Sequence, residues 1–226
     1  MSQQVIQIPH LLKPEELTEI ETLLKEAIFV DGKITASMAA KAVKNNLQVD
    51  AKSNDIANKV QQVVSKALQE SPFFQATAFP QQVYPCLISK YDPGRYYGWH
   101  VDSPVMGDPA MRTDLAMTIF LSDPASYQGG ELLLQTTAGI NSFKPSKGDA
   151  VLYPCQYLHC VNEVAQGERL AVVTWIQSRI RSAEQRQVLF DLGQVHSLLN
   201  ERNMNAPETV LLMQTFSNLY RMWAEY

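Results

Sequence analysis

Tyr91-Asp92-Pro93-Gly94-Arg95-Tyr96-Tyr97-Gly98-Trp99-His100-Val101-Asp102 is the stretch that decides the fold. An aromatic-rich segment follows a Pro-Gly turn and ends in a histidine and a carboxylate two residues apart. On a strand, residues i and i+2 point to one face. His100 and Asp102 therefore present an imidazole nitrogen and a carboxylate oxygen side by side. That pair is two-thirds of the two-histidine, one-carboxylate facial triad that holds non-haem Fe(II) and leaves coordination positions open. The third ligand has to come from elsewhere in the chain.

Around this stretch the hydrophobic period is two. Strands are predicted at 83–91, 96–101, 114–121, 131–135, 150–153, 158–164 and 169–177. Asp92-Pro93-Gly94, Asp123-Pro124, Gly129-Gly130, Lys147-Gly148-Asp149 and Gln166-Gly167 supply the turns between them. No helix long enough for a crossover separates them, so the sheet is expected to be largely antiparallel, a sandwich or jelly roll.

Helical periodicity flanks the β region on both sides. Pro14 to Ala27 places Leu17, Ile20 and Leu24 on one stripe, with Glu15 and Glu16 at the positive end of the dipole. Ser53 is the expected N-cap of a helix reaching Glu70, which Ser71-Pro72 stops. Beyond Ser178, Arg181 to Leu199 and a helix opened by Pro207 are amphipathic. They form an appendage against the β core or a dimer contact, a homo-oligomer through the C-terminal helices.

The second histidine is His159, late in the β region, and Arg169 follows ten residues on at the start of the last long strand. A lone H-x-D is a weak signal; H-x-D, a distant His and an Arg ten later, all on expected strands, is a strong one. Fe(II) takes neutral imidazoles and one carboxylate, and its open positions suit a bidentate 2-oxo acid and O₂. The far carboxylate of such an acid needs a fixed cation, and a guanidinium offers two parallel charge-assisted hydrogen bonds. By alternation Arg169, Ala171, Val173 and Trp175 share one face.

Composition narrows the classes. The chain has 226 residues, 46% hydrophobic and 19% charged, with a net charge of -4. No dense Lys/Arg run favours nucleic acid as the main partner. The polar N-terminus carries no apolar h-region, and no apolar run approaches a membrane span. Three cysteines make no disulfide framework and read as reduced thiols, so a cytoplasmic location is expected.

Taken together, these segments resemble the Fe(II)/2-oxoglutarate-dependent dioxygenases and, more narrowly, the bacterial PKHD-type hydroxylases. Tyr91 to Gly94 with Tyr97 to Asp102, Gly129-Gly130-Glu131-Leu132, Lys147 to Pro154, Leu158-His159 and Gly167 to Ser178 carry the likeness. Val43 to Asn46 and the C-terminal helices extend it over nearly the whole chain. The resemblance implies an α+β fold, a double-stranded β-helix (jelly-roll) core with N-terminal helices and a C-terminal helical appendage. Residues 1–178 would be the dioxygenase domain and 179–226 the extension. It implies iron on His100, Asp102 and His159, and Arg169 on the 5-carboxylate of 2-oxoglutarate. Tyr91 would hydrogen-bond the cosubstrate and Trp175 would line its pocket. Phe120 stands where some relatives place a second tyrosine against that carboxylate; Thr118, two residues earlier on the same face, is the alternative donor.

The implied activity couples oxidative decarboxylation of 2-oxoglutarate by O₂ to hydroxylation of a C–H bond, with L-ascorbate as reductant for oxidised iron. The substrate is left open between a peptidyl proline or lysine and a small molecule linked to iron homeostasis, since fold and cofactor do not fix it. A non-catalytic iron-binding sensor or store on the same fold is the alternative, and it has no need of Arg169. A nucleic-acid demethylase is disfavoured by the acidic charge. Lys44-Asn45-Asn46 reads as a solvated loop in preference to a lid. His10 and His196 read as surface or packing residues, and Cys160 as a buried thiol alternating away from His159.

Overall fold

Two antiparallel sheets face each other, and each owes its place to alternation along its strands. The computed structural model describes residues 5–35, 38–50 and 55–226. The major sheet runs in the order Ile6–Ile8, Ala150–Pro154, Leu115–Phe120, Arg169–Ser178, Leu87–Tyr91, Leu47–Val49 and Phe29–Asp31, with Pro80–Val83 on the far end of Arg169–Ser178. The minor sheet runs Gly139–Phe143, Leu132–Thr136, His159–Val161, Tyr96–His100 and Lys44–Asn45. This is the double-stranded β-helix expected from the sequence.

Alternation sorts the major sheet into two cores. Leu115, Met117, Ile119, Val172 and Ile176 face outward, onto Ile20, Leu24, Val60, Val64 and Phe74 of the helices Pro14–Leu24, Ile56–Glu70 and Pro72–Ala78. Ala116, Phe120, Val151, Tyr153 and Trp175 face inward, onto Leu132 and Leu134 of the minor sheet. The helices seal one face of the major sheet against water, so the other face is free to build a site.

The chain departs from the sequence expectation where local chemistry overrides period. The strand expected at 83–91 is two strands, Pro80–Val83 and Leu87–Tyr91. Pro85 has no N–H for the ladder, and the Cys86 N–H instead donates to Gln61 Oε1 at 2.5 Å. Ser71-Pro72 ends one helix and also starts another: the Ser71 hydroxyl accepts from the Phe74 N–H at 3.2 Å, and Pro72 sits at the first helical position. The expected Ser53 cap lies outside the described residues; Asp55 precedes Ile56–Glu70. The stretch expected as one strand at 158–164 divides into His159–Val161 and Val164–Gln166; between them the Asn162 N–H donates to the Glu131 carbonyl and the Glu163 carbonyl accepts from the Gly130 N–H.

The C-terminal helices, Ala183–Asn203 and Pro207–Trp223, pack as a hairpin over Phe79 and Ile180 through Leu189, Phe216, Tyr220 and Trp223. Ser182 caps the first, accepting from the Gln185 N–H. Leu198, Val210, Leu211 and Met213 remain exposed. Among the described residues no helix is long and apolar enough to cross a membrane.

Candidate active site

His100 is the last residue of one minor-sheet strand and His159 the first residue of its neighbour, and the two are directly paired. Register therefore puts both rings in contact, with centroids 4.1 Å apart. Asp102 follows two residues on and brings its Oδ2 to 3.8 Å from His159 Nε2. One ligand atom from each of the three lies within 4.8 Å of the others.

The backbone fixes how each ring is offered. His100 Nδ1 lies 2.8 Å from the Gly98 carbonyl and His159 Nδ1 lies 2.9 Å from the Tyr157 carbonyl. A carbonyl only accepts, so each Nδ1 carries the proton and each Nε2 keeps a free lone pair, the tautomer a metal needs. Tyr97 stacks on His100 at 3.6 Å and Tyr153 meets His159 edge-on at 5.2 Å. Gly98 is required here: a Cβ would come within 2.9 Å of Val43 Cβ, and its N–H donates to the Val43 carbonyl.

Electrostatics agree with a cation in the centre. Burial, and next the His159 ring, push His100 down to about 3, so it is neutral at pH 7. Burial pushes the Asp102 carboxyl up, and its Oδ2 has no hydrogen-bond partner. Two imidazoles held by carbonyls at Nδ1 and a carboxylate with an unpartnered oxygen are the donor set of a non-haem Fe(II) site, and the residues fit that ion.

The triad opens into a cavity of about 100 Å³ that is also lined by Tyr91, Thr118, Arg169 and Trp175. Every site residue singled out in the sequence is thus brought to one cavity. Arg169, paired opposite Tyr91, is only 1% exposed. Its guanidinium carbon lies 5.0 Å from the Tyr91 ring centre and 5.2 Å from that of Phe120. Nε and Nη2 have no hydrogen-bond partner. Phe120, which lacks a hydroxyl, instead lends its ring face to the cation. Thr118 faces the Tyr153 phenol. The Trp175 indole N–H also lacks a partner, and stands close enough to Asp102 to favour its charged form.

Four further residues belong to this region. Tyr127 is buried with an unpartnered hydroxyl; burial pushes it up, and the nearby Arg169 charge pulls it back. Gly130 makes the juxtaposition possible, since a Cβ there would lie 3.0 Å from both Arg169 Cδ and Tyr127 Cε2. Read in sequence as a turn, Gly129-Gly130 is also the floor under the arginine. Lys44 and Asn46 correct the solvated-loop reading. Lys44–Asn45 pairs with Tyr96 and Tyr97 of the minor sheet, and Leu47–Val49 pairs with Ser89 and Lys90 of the major sheet. Residue 46 therefore bridges the two sheets and closes the barrel. Lys44 and Asn46 are 5% and 1% exposed and line the cavity. The signal was weak, because a two-residue strand shows no period.

Burial pushes the Lys44 ammonium down to about 8, against the opposing pull of Asp31 and Asp102. Between about pH 8 and the ordinary 10.5, the unfolded chain keeps a proton that the folded chain has released. Stability therefore climbs with pH across that window, and the cost is fully present below it. Lys44→Met is expected to flatten the climb and to stabilise the ligand-free protein at neutral pH by about 2–3 kcal/mol. Urea unfolding at about pH 7 and about pH 10 measures this; a variant that keeps the wild-type slope refutes it.

Comparison with known proteins follows the same lines. The model of the 2OG-Fe(II) oxygenase superfamily matches residues 86–177, and that of the PKHD-type hydroxylase C-terminal domain matches 184–225. A PKHD-type hydroxylase of Picosynechococcus sp. is 42% identical over 218 residues, covering 96% of this chain and 98% of that one. One from Hyphomonas neptunium is 40% identical over 225 residues, covering 98% and 99%. Among solved structures, a Pseudomonas putida prolyl-4-hydroxylase superposes with a TM-score of 0.51 at 17% identity, over 77% of this chain and 92% of that one. HygX from Streptomyces hygroscopicus, with nickel, 2-oxoglutarate and hygromycin B bound, gives 0.55 at 12% identity over 77% and 82%. The structural likenesses show the shared fold. The likeness in sequence spans the whole chain, which belongs to the PKHD-type hydroxylases, 2-oxoglutarate-dependent oxygenases of the 2OG-Fe(II) superfamily.

Proposed function

We propose that His100, Asp102 and His159 hold Fe(II) and that Arg169 anchors the 5-carboxylate of 2-oxoglutarate. The single observation that carries this is the buried guanidinium of Arg169, with Nε and Nη2 unpartnered, in the same cavity as three converging metal ligands. A buried cation without an anion is costly, and a dicarboxylate that also chelates the metal relieves that cost. An iron sensor or store gives no reason for it.

When bound, Fe(II) with 2-oxoglutarate and O₂ supplies the oxidising power for C–H hydroxylation, the cosubstrate leaving as succinate and CO₂. The protein's share is positioning. The Gly98 and Tyr157 carbonyls hold both imidazoles as Nε2 donors. Tyr91 and Phe120 hold the guanidinium plane between their rings. Tyr127 and Tyr91 are the hydroxyls placed to assist Arg169; Thr118, beside Tyr153, is placed less well for it. Trp175 steadies the Asp102 carboxylate. Residues 1–178 carry this chemistry and 179–226 brace it; L-ascorbate is the reductant proposed to keep iron ferrous, and the cytoplasm the compartment. The substrate is a peptidyl residue or a small molecule.

Succinate release by protein loaded anaerobically with Fe(II) and 2-oxoglutarate, then exposed to air, tests the assignment. Slow uncoupled release is expected from the wild type and none above background from Arg169→Met. Equal release from both would sink it.

A further inference from the structure

Among the described residues three charged side chains line the cavity: Asp102, Arg169 and Lys44. A divalent metal and a doubly charged 2-oxo diacid balance each other when seated, as Asp102 and Arg169 do. Lys44 is left over. Among the described residues its ammonium has no carboxylate within 4.0 Å, and its hydrogen-bond partner is the Thr35 hydroxyl at 3.1 Å. That hydroxyl is itself committed as a donor to Gln48 Oε1 at 2.6 Å. An ammonium has three N–H donors, so two remain to be used.

The position is fixed and close to the reacting centre. Pairing with Tyr97 ties the Lys44 backbone to the minor sheet. Its Nζ lies 5.2 Å from the Tyr97 ring centre, and that ring stacks on His100. Beside it, Asn46 lines the same cavity, with its Oδ1 packed against Gly32 and neither amide atom in a hydrogen bond. A buried amide without a hydrogen bond beside a buried ammonium with only one is unfavourable unless a ligand completes them.

We propose that Lys44, assisted by Asn46, binds a carboxylate carried by the substrate that is hydroxylated, so that the substrate class is a carboxylic acid. The assignment depends on the cavity binding Fe(II) and 2-oxoglutarate as proposed above. Lys44 lies on the minor-sheet side with Tyr97, whereas Arg169 lies on the major sheet with Tyr91, so the two cations serve different anions. The carboxylate has two sources, a free acid or the C-terminus of a peptide.

Calorimetry on Mn(II)-loaded protein saturated with 2-oxoglutarate, without turnover, is the test. The probes are N-acetyl amino acids and short peptides with free C-termini, each against its carboxamide. Metal and 2-oxoglutarate binding are measured first in the same samples, so failure of the cofactor assignment shows itself separately. At least one acid is expected to bind about tenfold or more tightly than its amide, the scale of a charge-assisted hydrogen bond. Lys44→Met should erase the preference and Lys44→Arg keep part of it, with 2-oxoglutarate affinity within about twofold of wild type, since Arg169 anchors that diacid separately. Preference confined to free acids assigns a small molecule; preference shared by peptides assigns a C-terminus. Acids and amides that bind alike, or not at all, overturn the proposal. So does a Lys44→Met variant that loses 2-oxoglutarate, which would give Lys44 to the cosubstrate.

Discussion

Arg169→Met is expected to make the cosubstrate-free protein more stable and to remove its response to 2-oxoglutarate. The two effects have one cause. Arg169 is 1% exposed, and neither Nε nor Nη2 is paired. An unsatisfied buried donor costs about 1–3 kcal/mol, more when charged. The Tyr91 and Phe120 rings return part of that through the guanidinium face. Methionine is unbranched and adaptable, and fills the same channel without the charge. A net gain of about 1–2 kcal/mol, roughly 2–8 °C in melting temperature for a chain of this size, is expected. Saturating 2-oxoglutarate with Mn(II) should raise the wild-type melting temperature by mass action. In the variant the diacid loses its bidentate partner, and affinity should fall about 100- to 1000-fold. Scanning fluorimetry with and without the diacid reads both. If the variant melts lower and still responds to 2-oxoglutarate, the guanidinium is a structural strut and the anion anchor lies elsewhere.

The cavity was largely legible in the sequence because its chemistry follows strand alternation. His100 and Asp102 share a face by spacing alone, and Arg169, Val173 and Trp175 line the cavity while Val172 and Ile176 face the helices. The residues that escaped notice sit where alternation gives no information. Lys44 belongs to a strand of two residues paired with Tyr97, more than 40 positions away, and Asn46 is the single residue linking it to the next strand, so no local pattern marks them. Tyr127 reaches Arg169 from a loop, through a gap that exists only because Gly130 lacks a Cβ. Phe120 was weighed only for the hydroxyl it lacks; its ring against the guanidinium is a three-dimensional fact. At the C-terminal hairpin, periodicity marked apolar residues on both helices. It could not say which would be covered: Leu189 is buried, whereas Leu198 and Val210 are exposed.

The second large effect belongs to Asp102, and its direction depends on whether metal is present. Asp102→Asn keeps the shape of the side chain and removes its charge. Loss of an outer-shell partner already costs 10- to 100-fold in metal affinity or activity, so loss of the anionic ligand itself is expected to lower succinate release by about 1000-fold or more. Mn(II) should stabilise the wild type by about 3 kcal/mol at a hundredfold excess over its dissociation constant, and the variant hardly at all. Without metal the order reverses. Burial holds the Asp102 carboxyl above its ordinary 3.8, so the folded chain keeps a proton that the unfolded chain releases. Stability contributed at this position therefore falls as pH rises from the ordinary value through the raised one. Asparagine does not titrate and escapes the loss. The metal-free variant should match the wild type near about pH 4 and exceed it at neutrality, a crossover that urea unfolding in chelator resolves. A variant less stable than wild type at both pH values would mean that the buried carboxylate has a protein partner in the folded chain. The unpartnered Oδ2 would then no longer be evidence for a metal.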